Sequence, residues 1–462
     1  MDDPIPADNT TSDPQMNDQH VAMMEECTNA VNQEGEQQEQ QQQQAYMVYN
    51  HNVKDESCRL VATTGAHYNT TVHIILATEA SILQHPLKET RPYNDNDYFK
   101  NVKWSPDGTC LLSNSNDNTL RLFNTPYDLF DHTQQPQQQI DLRTGFGIHE
   151  GEAINDFAWF PSMNSQDPAT CCFLTSVRDH PMHLWDGCTG QLRASYSVVD
   201  HRERFVGPNV ISFNPSGTHI YCGYENMIEI FDVQRPGQGS KIPTIPNRKS
   251  KQGQKGIISC LDFSVDGLYA AGSYSQSVGI YDETNHELCL KLTGIQGGVT
   301  QVRFTPDGNF LYTASRTSNA ISCWDIRDTA NVLYELPRPG KTSQRITFDI
   351  DTNGKTLVTG DQYGNVLFYD ISNPKGEEQP EDRLLHRMEG HRDITSCATW
   401  NPMYPWLLAT CSGQRKFDLD DSDSDDDDDD DNDRQEQVID NSLSIWQVPG
   451  TPEWYSFEAS SS

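Results

Sequence analysis

Hydrophobic and polar positions alternate in short runs along most of this chain, and the runs come in a fixed order. In residues 104–124, WSPDGTCLLSNSNDNTLRLFN, an aromatic closes one run and a Pro-Asp-Gly turn follows. Two further alternating runs then flank a polar turn. Successive side chains of a strand point to opposite faces, so the pattern predicts three short antiparallel strands joined by tight turns. Residues 213–232, FNPSGTHIYCGYENMIEIFD, repeat the same order.

Aligning on the aromatic that closes the first strand gives Trp104, Trp159, Phe213, Phe263, Phe304, Phe348 and Trp400, spaced 41 to 55 residues apart. Turn residues follow at Gly108, Gly217, Gly267, Gly308 and Gly354, with Pro106, Pro161, Pro215, Pro306 and Pro402 in the same turns. The third strands carry Phe123, Trp185, Phe231, Tyr281, Trp324, Tyr369 and Trp446, and an Asp follows five of them: Asp186, Asp232, Asp282, Asp325 and Asp370. A period near 40–45 residues with a terminal Trp-Asp is the WD40 signature. One such sheet cannot bury its own faces, and radial stacking between two neighbours does so. The expected fold is all-β: a seven-bladed WD40 propeller over 71–449. Trp104, Trp185, Trp324, Asp325, Arg327, His391 and Trp446 are its structural positions, with Gly390-His391 the one proper Gly-His pair. The last blade needs a fourth strand from before the first unit. Residues 71–83, TVHIILATEASIL, are the candidate, with a short helix as the competing reading.

Composition then marks what lies outside the repeats. Only 35% of the chain is hydrophobic. Residues 1–57 carry a glutamine run at 40–44, and 418–433 hold twelve aspartates with no Lys or Arg. Segments this poor in apolar side chains cannot offset the entropy of ordering, so both read as disordered, the second as an insert within the last blade. Residues 450–462 read as a C-terminal tail. Of the formal charge of −34, the two biased segments hold all but −11. The argument for or against nucleic acid must therefore be made on one face of the body. An acidic start and the lack of an 18-residue apolar run predict a soluble intracellular chain without a membrane partner. The twelve Cys include no C-x-x-C pair and read mainly as small buried hydrophobes.

Catalytic patterns are absent: no P-loop, no H-E-x-x-H, no G-x-S-x-G and no G-x-G-x-x-G opening a helix. No metal or cofactor is expected. His180 and His183 lie three apart beside a turn, a spacing better explained by pairing with Asp179 or with the strand of Trp185. Binding is the expected function.

One propeller face collects the loops leading into each innermost strand and those joining the second and third strands. By the repeat, that face receives Arg178, Arg202, Arg204, Lys255, Arg316, Lys341, Arg345, Arg392, Arg415 and Lys416, together with Phe205, Tyr224, Tyr274 and Tyr363. Guanidinium groups and aromatic rings around one opening suit unstacked bases, because rings stack on bases while Arg neutralises phosphates. Lys255, Tyr274, Arg316, Lys341, Arg345, Tyr363, Arg392 and Arg415 are the candidate RNA-binding set. An acidic or phosphorylated peptide is the alternative ligand on this chemistry. The acidic insert leaves and rejoins the last blade on the same face. It either competes with RNA for Arg316, Arg345 and Arg392 or serves as a solvated tether.

Several stretches are more specific than a generic repeat: NVKWSPDGTCLLSNSNDNTLRLFN, KQGQKGIISCLDFS, QGGVTQVRFTPDGNFLYTASR with CWDIR, QRITFDID, and LLATCSGQR. Together they resemble the telomerase Cajal body protein family, WD-repeat proteins that bind the CAB box of small Cajal body RNAs. The resemblance spans roughly residues 99–415 and the last strand. It implies a non-enzymatic carrier that recognises a single-stranded element of H/ACA-type guide RNAs and localises those particles to Cajal bodies in the nucleus. Implied partners are the H/ACA proteins, such as a dyskerin-type pseudouridine synthase, with coilin, the survival-of-motor-neuron complex and telomerase as further candidates. Two departures stand out. The Gly-His expected before Gly297 is replaced by Gly294-Ile295, and the acidic insert is longer than the resemblance implies.

Overall fold

The structure, a computed structural model, describes residues 46–54, 56–66, 74–76, 96–133, 138–199, 202–247, 250, 252–328, 331–376, 378–416 and 439–455. The 418–433 insert lies outside them. The chain divides into two units. The smaller is a two-stranded sheet that pairs Tyr46–His51 with Gly450–Tyr455. Strands therefore occur within the stretch expected to be disordered and within the expected tail. Both short segments carry aromatic residues, Tyr46 and Tyr49 in one and Trp454 and Tyr455 in the other, which composition averaged over 57 residues conceals.

The larger unit is the seven-bladed propeller. Blades 1 to 6 begin with the innermost strands Phe99–Trp104, Ile154–Trp159, Val210–Phe213, Ile258–Phe263, Val299–Phe304 and Phe348–Ile350, and blade 7 with Thr395–Trp400. In six blades the aromatic used for alignment closes that strand and stands opposite the same second-strand position, as Trp104 does with Leu111 and Trp400 with Leu408. Blade 6 is the exception. Ile350 pairs with Leu357 at that place, and Phe348 opens the strand two residues earlier. The aromatic match slipped by one full strand period, which preserves the inward face and so hides the error. All seven third-strand aromatics fall in third strands.

The closing strand is not the one expected. Arg59–Thr63 pairs antiparallel with Leu443–Gln447, aligning Ala62 with Ile445, and supplies the fourth strand of blade 7. Within 71–83 only Ile74–Leu76 is described, and it runs parallel to Thr144–His149 at the outer edge of blade 1. The candidate segment is longer and more apolar. Arg59–Thr63 nevertheless brings Val61 and Ala62, 1% and 0% exposed, under the blade.

The core is divided among the seams between blades. Leu112, Leu122, Phe157 and Phe173 join blades 1 and 2, and Val358, Phe368, Trp400 and Trp446 join blades 6 and 7. Blades 1 and 7 are tied by polar contacts: the Trp104 indole donates to the Thr399 carbonyl at 3.2 Å, and the Ser396 hydroxyl to the Phe99 carbonyl at 3.0 Å. Each fully buried Leu or Phe contributes roughly 1.5–3 kcal/mol, so opening one seam releases several such terms at once.

Candidate functional site

Two sets of loops meet on one face because their backbones are stitched together. The amide of Arg316, between the second and third strands of blade 5, donates to the Gly298 carbonyl in the loop leading into that blade. Tyr274 donates likewise to Ile257 in blade 4, Arg178 to Ala153 in blade 2, and Gly413 to Ile394 in blade 7. Several of these turns need a left-handed residue, and Thr317 takes that role at φ +54°. A β-branched side chain there is strained. Gly364 shows why some positions admit no side chain: at φ +88°, a Cβ would come within 2.1 Å of the His391 carbonyl oxygen.

Three of the sequence-selected residues converge. The Arg316 guanidinium lies 4.2 Å from the Tyr274 ring centroid, and its Nη2 donates to the Tyr274 hydroxyl at 2.9 Å. Arg345, from the loop leading into blade 6, lies beside Tyr274. Its Nη2 donates to the Ser259 carbonyl of blade 4 at 2.8 Å. Arg345 thus crosses the mouth of the central channel, whose cavity measures about 350 Å³. Two cations from neighbouring blades thus stand near one ring, with Arg316 alone stacked on it. Arg316 itself is exposed.

The remaining candidates stand apart around the rim. Lys255, Lys341, Tyr363, Arg392 and Arg415 are exposed, Tyr363 at 67%. The side chains of the first four have no partner among the described residues, so they are open to a ligand. Other members of the face are already engaged. Lys416 Nζ is 2.6 Å from Asp393, and Tyr224 is buried at 5% exposure within blade 3.

Sequence reasoning missed the carboxylates that line the channel. Asp156, Asp262 and Asp349 each accept a backbone N–H from the next blade: from Ile211 at 3.2 Å, Phe304 at 2.7 Å and Trp400 at 3.0 Å. Lys103 pairs with Asp156 at 3.1 Å, and Arg303 spans Asp262 at 3.7 Å and Asp349 at 3.4 Å. Burial pushes the Asp262 carboxyl above its ordinary range, against the pull of Arg303. The sequence signal was an Asp one or three residues before a strand-closing aromatic, as in Cys-Leu-Asp-Phe and Asn-Asp-Phe-Ala-Trp. These contacts hold blades together, and charge-assisted bonds of this kind contribute about 1.5–3 kcal/mol each.

His391 Nε2 lies 2.7 Å from Thr410 Oγ1 and Nδ1 lies 2.9 Å from Ser442 Oγ, while the Trp446 indole donates to Thr410 at 2.8 Å. Burial lowers the His391 pKa to about 4, opposed by Asp440. Arg327 pairs with Asp325 of its own blade at 2.9 Å, and Lys375 of blade 6 reaches the other carboxylate oxygen at 2.7 Å. The bridge between blades runs through the aspartate, itself 1% exposed. His183 lies in a third strand beside Glu150 at 3.4 Å, and the His180 ring bonds the Arg178 carbonyl at 2.8 Å. No group of three or more His, Cys, Asp or Glu suited to a metal occurs among the described residues.

Comparison with known proteins agrees with this architecture. The WD domain, G-beta repeat family matches residues 91–124 and 382–417, and the family described as Lactonase, 7-bladed beta-propeller matches 189–383. Telomerase Cajal body protein 1 of Bos taurus is 35% identical over 369 residues, which is 79% of this chain and 67% of that protein. The Mesocricetus auratus protein of the same name is 37% identical over 71% of this chain and 60% of its own length. The chain thus spans about three-fifths to two-thirds of these relatives. A Schizosaccharomyces pombe protein, Guanine nucleotide-binding protein negative regulator 1, is 29% identical over 72% of this chain and 84% of its own.

Proposed function

Because this chain belongs to the telomerase Cajal body protein family, we propose that its loop face binds a single-stranded RNA loop and carries that RNA to Cajal bodies without catalysing a reaction. The observation that carries this reading is the Arg316–Tyr274 stack at the channel mouth, with Arg345 beside it. A guanidinium stacked on a ring offers its outer face to an unpaired base and its edge to phosphate. Arg316 covers one side of Tyr274, so a base stacks on the Arg316 plane or on the free side of the ring. Lys255, Lys341, Tyr363, Arg392 and Arg415 then form an outer rim that follows the backbone of the strand.

The ligand class proposed is the CAB box of small Cajal body RNAs in H/ACA-type particles, including the RNA of telomerase. The dyskerin-type synthase, coilin and the survival-of-motor-neuron complex are proposed as partners reached through those particles. Crosslinking in nuclei followed by RNA sequencing tests the reading. Guide RNAs with crosslinks in a hairpin loop are the expected result, together with release from partners by RNase. Partners that survive RNase and crosslinks without enrichment contradict it and point to an acidic peptide on the same face.

A further inference from the structure

One polar side chain recurs at the same place in three blades, and blade 5 lacks it. In blade 7 that side chain is His391, bridging Thr410 and Ser442. In blade 2 it is Glu150, which accepts the Thr175 hydroxyl at 3.0 Å while Thr175 accepts the Trp185 indole at 3.1 Å. In blade 4 it is Gln254, which accepts the Tyr281 hydroxyl at 2.9 Å. The equivalence follows from register. Thr395 pairs with Ser412, Ile154 with Val177, Ile258 with Ser273 and Val299 with Ser315, and the recurring residue stands four positions before each first-strand partner. In blade 5 that position is Ile295, and the place of Ser442 falls to Ala320.

The rest of the blade 5 arrangement remains. The Trp324 indole donates to Thr313 at 3.1 Å, yet the Thr313 hydroxyl proton meets no acceptor among the described residues. Ser315, one strand period further, makes no side-chain hydrogen bond among them either. Thr313 and Ser315 are 2% and 6% exposed, and buried hydroxyls of this kind normally find partners. Both line a cavity of about 240 Å³ whose walls also include Ile295, Ala320 and Ser322, with Lys341 at its edge. The strained Thr317, adjacent to Arg316, forms part of the same wall.

We propose that this blade 5 cavity takes one extruded base of the RNA strand held by Arg316, Tyr274 and Arg345, and so sets its base preference. The inference rests on the RNA reading above. Its chemistry is that of a base edge: neutral hydroxyls and the Asn319 and Gln296 amides donate and accept, and Ile295 supplies an apolar floor. A phosphate site would gather cations, whereas here Lys341 is offset by Glu335, which already accepts the Ser322 hydroxyl at 3.1 Å. The volume lies below that of drug-sized pockets and suits one ring system.

The test rebuilds the blade 7 arrangement. The Ile295→His, Ala320→Ser double variant restores both polar partners and so engages the Thr313 and Ser315 hydroxyls that a base edge would otherwise meet. Anisotropy titrations with single-stranded octamers of adenosine, cytidine or uridine at one low salt concentration supply the readout. The parent discriminates its best octamer from its worst by about tenfold or more, the range of one base contact. The rebuilt variant folds, by its unchanged melting transition, and binds all three within about twofold of one another. Arg316→Ala weakens all three while keeping the parent's ratio. Equal discrimination in parent and rebuilt variant overturns the cavity assignment and leaves the RNA reading standing. No binding of any octamer to the parent overturns both. If the rebuilt variant fails to fold, Ser315→Leu, which blocks the same cavity, replaces it under the same criteria.

Discussion

Arg316 and Tyr274 belong to different blades, yet the guanidinium stacks 4.2 Å from the ring centroid and bonds its hydroxyl at 2.9 Å. A cation stacked over an aromatic places charge on an exposed face where the fold does not require it. Stacking on a ring of this kind contributes roughly 1–3 kcal/mol per base. Tyr274→Ala should therefore weaken loop-RNA binding by about 5- to 150-fold. Tyr274→Phe keeps the ring and should stay within a few fold of the parent. Anisotropy titrations at matched salt check both, and an alanine variant that binds as the parent does would show that the ring is only packing.

Acid should expose the histidine of blade 7. The His391 pKa is about 4 in the folded state against 6.5 for an unperturbed imidazole, so the unfolded chain binds the extra proton first. This contribution to stability is intact above pH 6.5 and is lost as the pH falls toward 4. At pH 5 the loss is on the order of 2 kcal/mol. His51 shifts in the same direction, while burial raises Asp351 to about 6, which favours the folded state below that pH and opposes both histidines. His391→Gln, which imitates Gln254 of blade 4, should flatten the fall in melting temperature between pH 7 and 5 relative to the parent. Parallel curves for the two proteins contradict the assignment.

The pair formed by Arg327 and Asp325 makes a third case. Arg327 is half exposed, whereas Asp325 is buried and also holds Lys375 of the next blade. Arg327→Ala should lower the melting temperature slightly and leave RNA affinity unchanged. Asp325→Ala should lower it further, because two cations lose their partner. Differential scanning fluorimetry ranks the two, and lost RNA affinity with unchanged melting in Arg327→Ala would reverse the reading.

Ring closure gives a fourth prediction. A chain beginning after residue 64 lacks Arg59–Thr63, which leaves Leu443–Gln447 unpaired on one edge. Exposed strand edges recruit other chains, so this truncation should aggregate or melt well below the parent in size-exclusion and fluorimetry runs. A monomer with unchanged melting would show that another segment closes the ring.

These cases also show how far the residues themselves foretold the molecule. Third-strand aromatics such as Trp185 and Trp446 were legible because their partners are local and periodic. Arg59–Thr63 was not, because its partner lies more than 380 positions away and a more apolar stretch lay nearby. Phe348 misled because a slip of two residues leaves the pattern of faces intact. The loop-face position of Arg316 and Arg345 followed from the repeat, but Arg345's reach to Ser259 did not, since spacing carries no information about distance across a channel. The cavity of blade 5 was half legible: the missing histidine at Ile295 could be read, while its loss together with Ser442's counterpart, Ala320, required the register.

The central claim is tested most directly by one titration series. A hairpin RNA with a single-stranded loop is titrated against the parent and the Arg316→Ala, Arg345→Ala double variant at several salt concentrations. The account predicts affinity at least about tenfold weaker in the double variant and a salt dependence shallower by roughly 0.7 for each phosphate it no longer neutralises. Equal affinities and equal slopes, with both proteins folded, would contradict it.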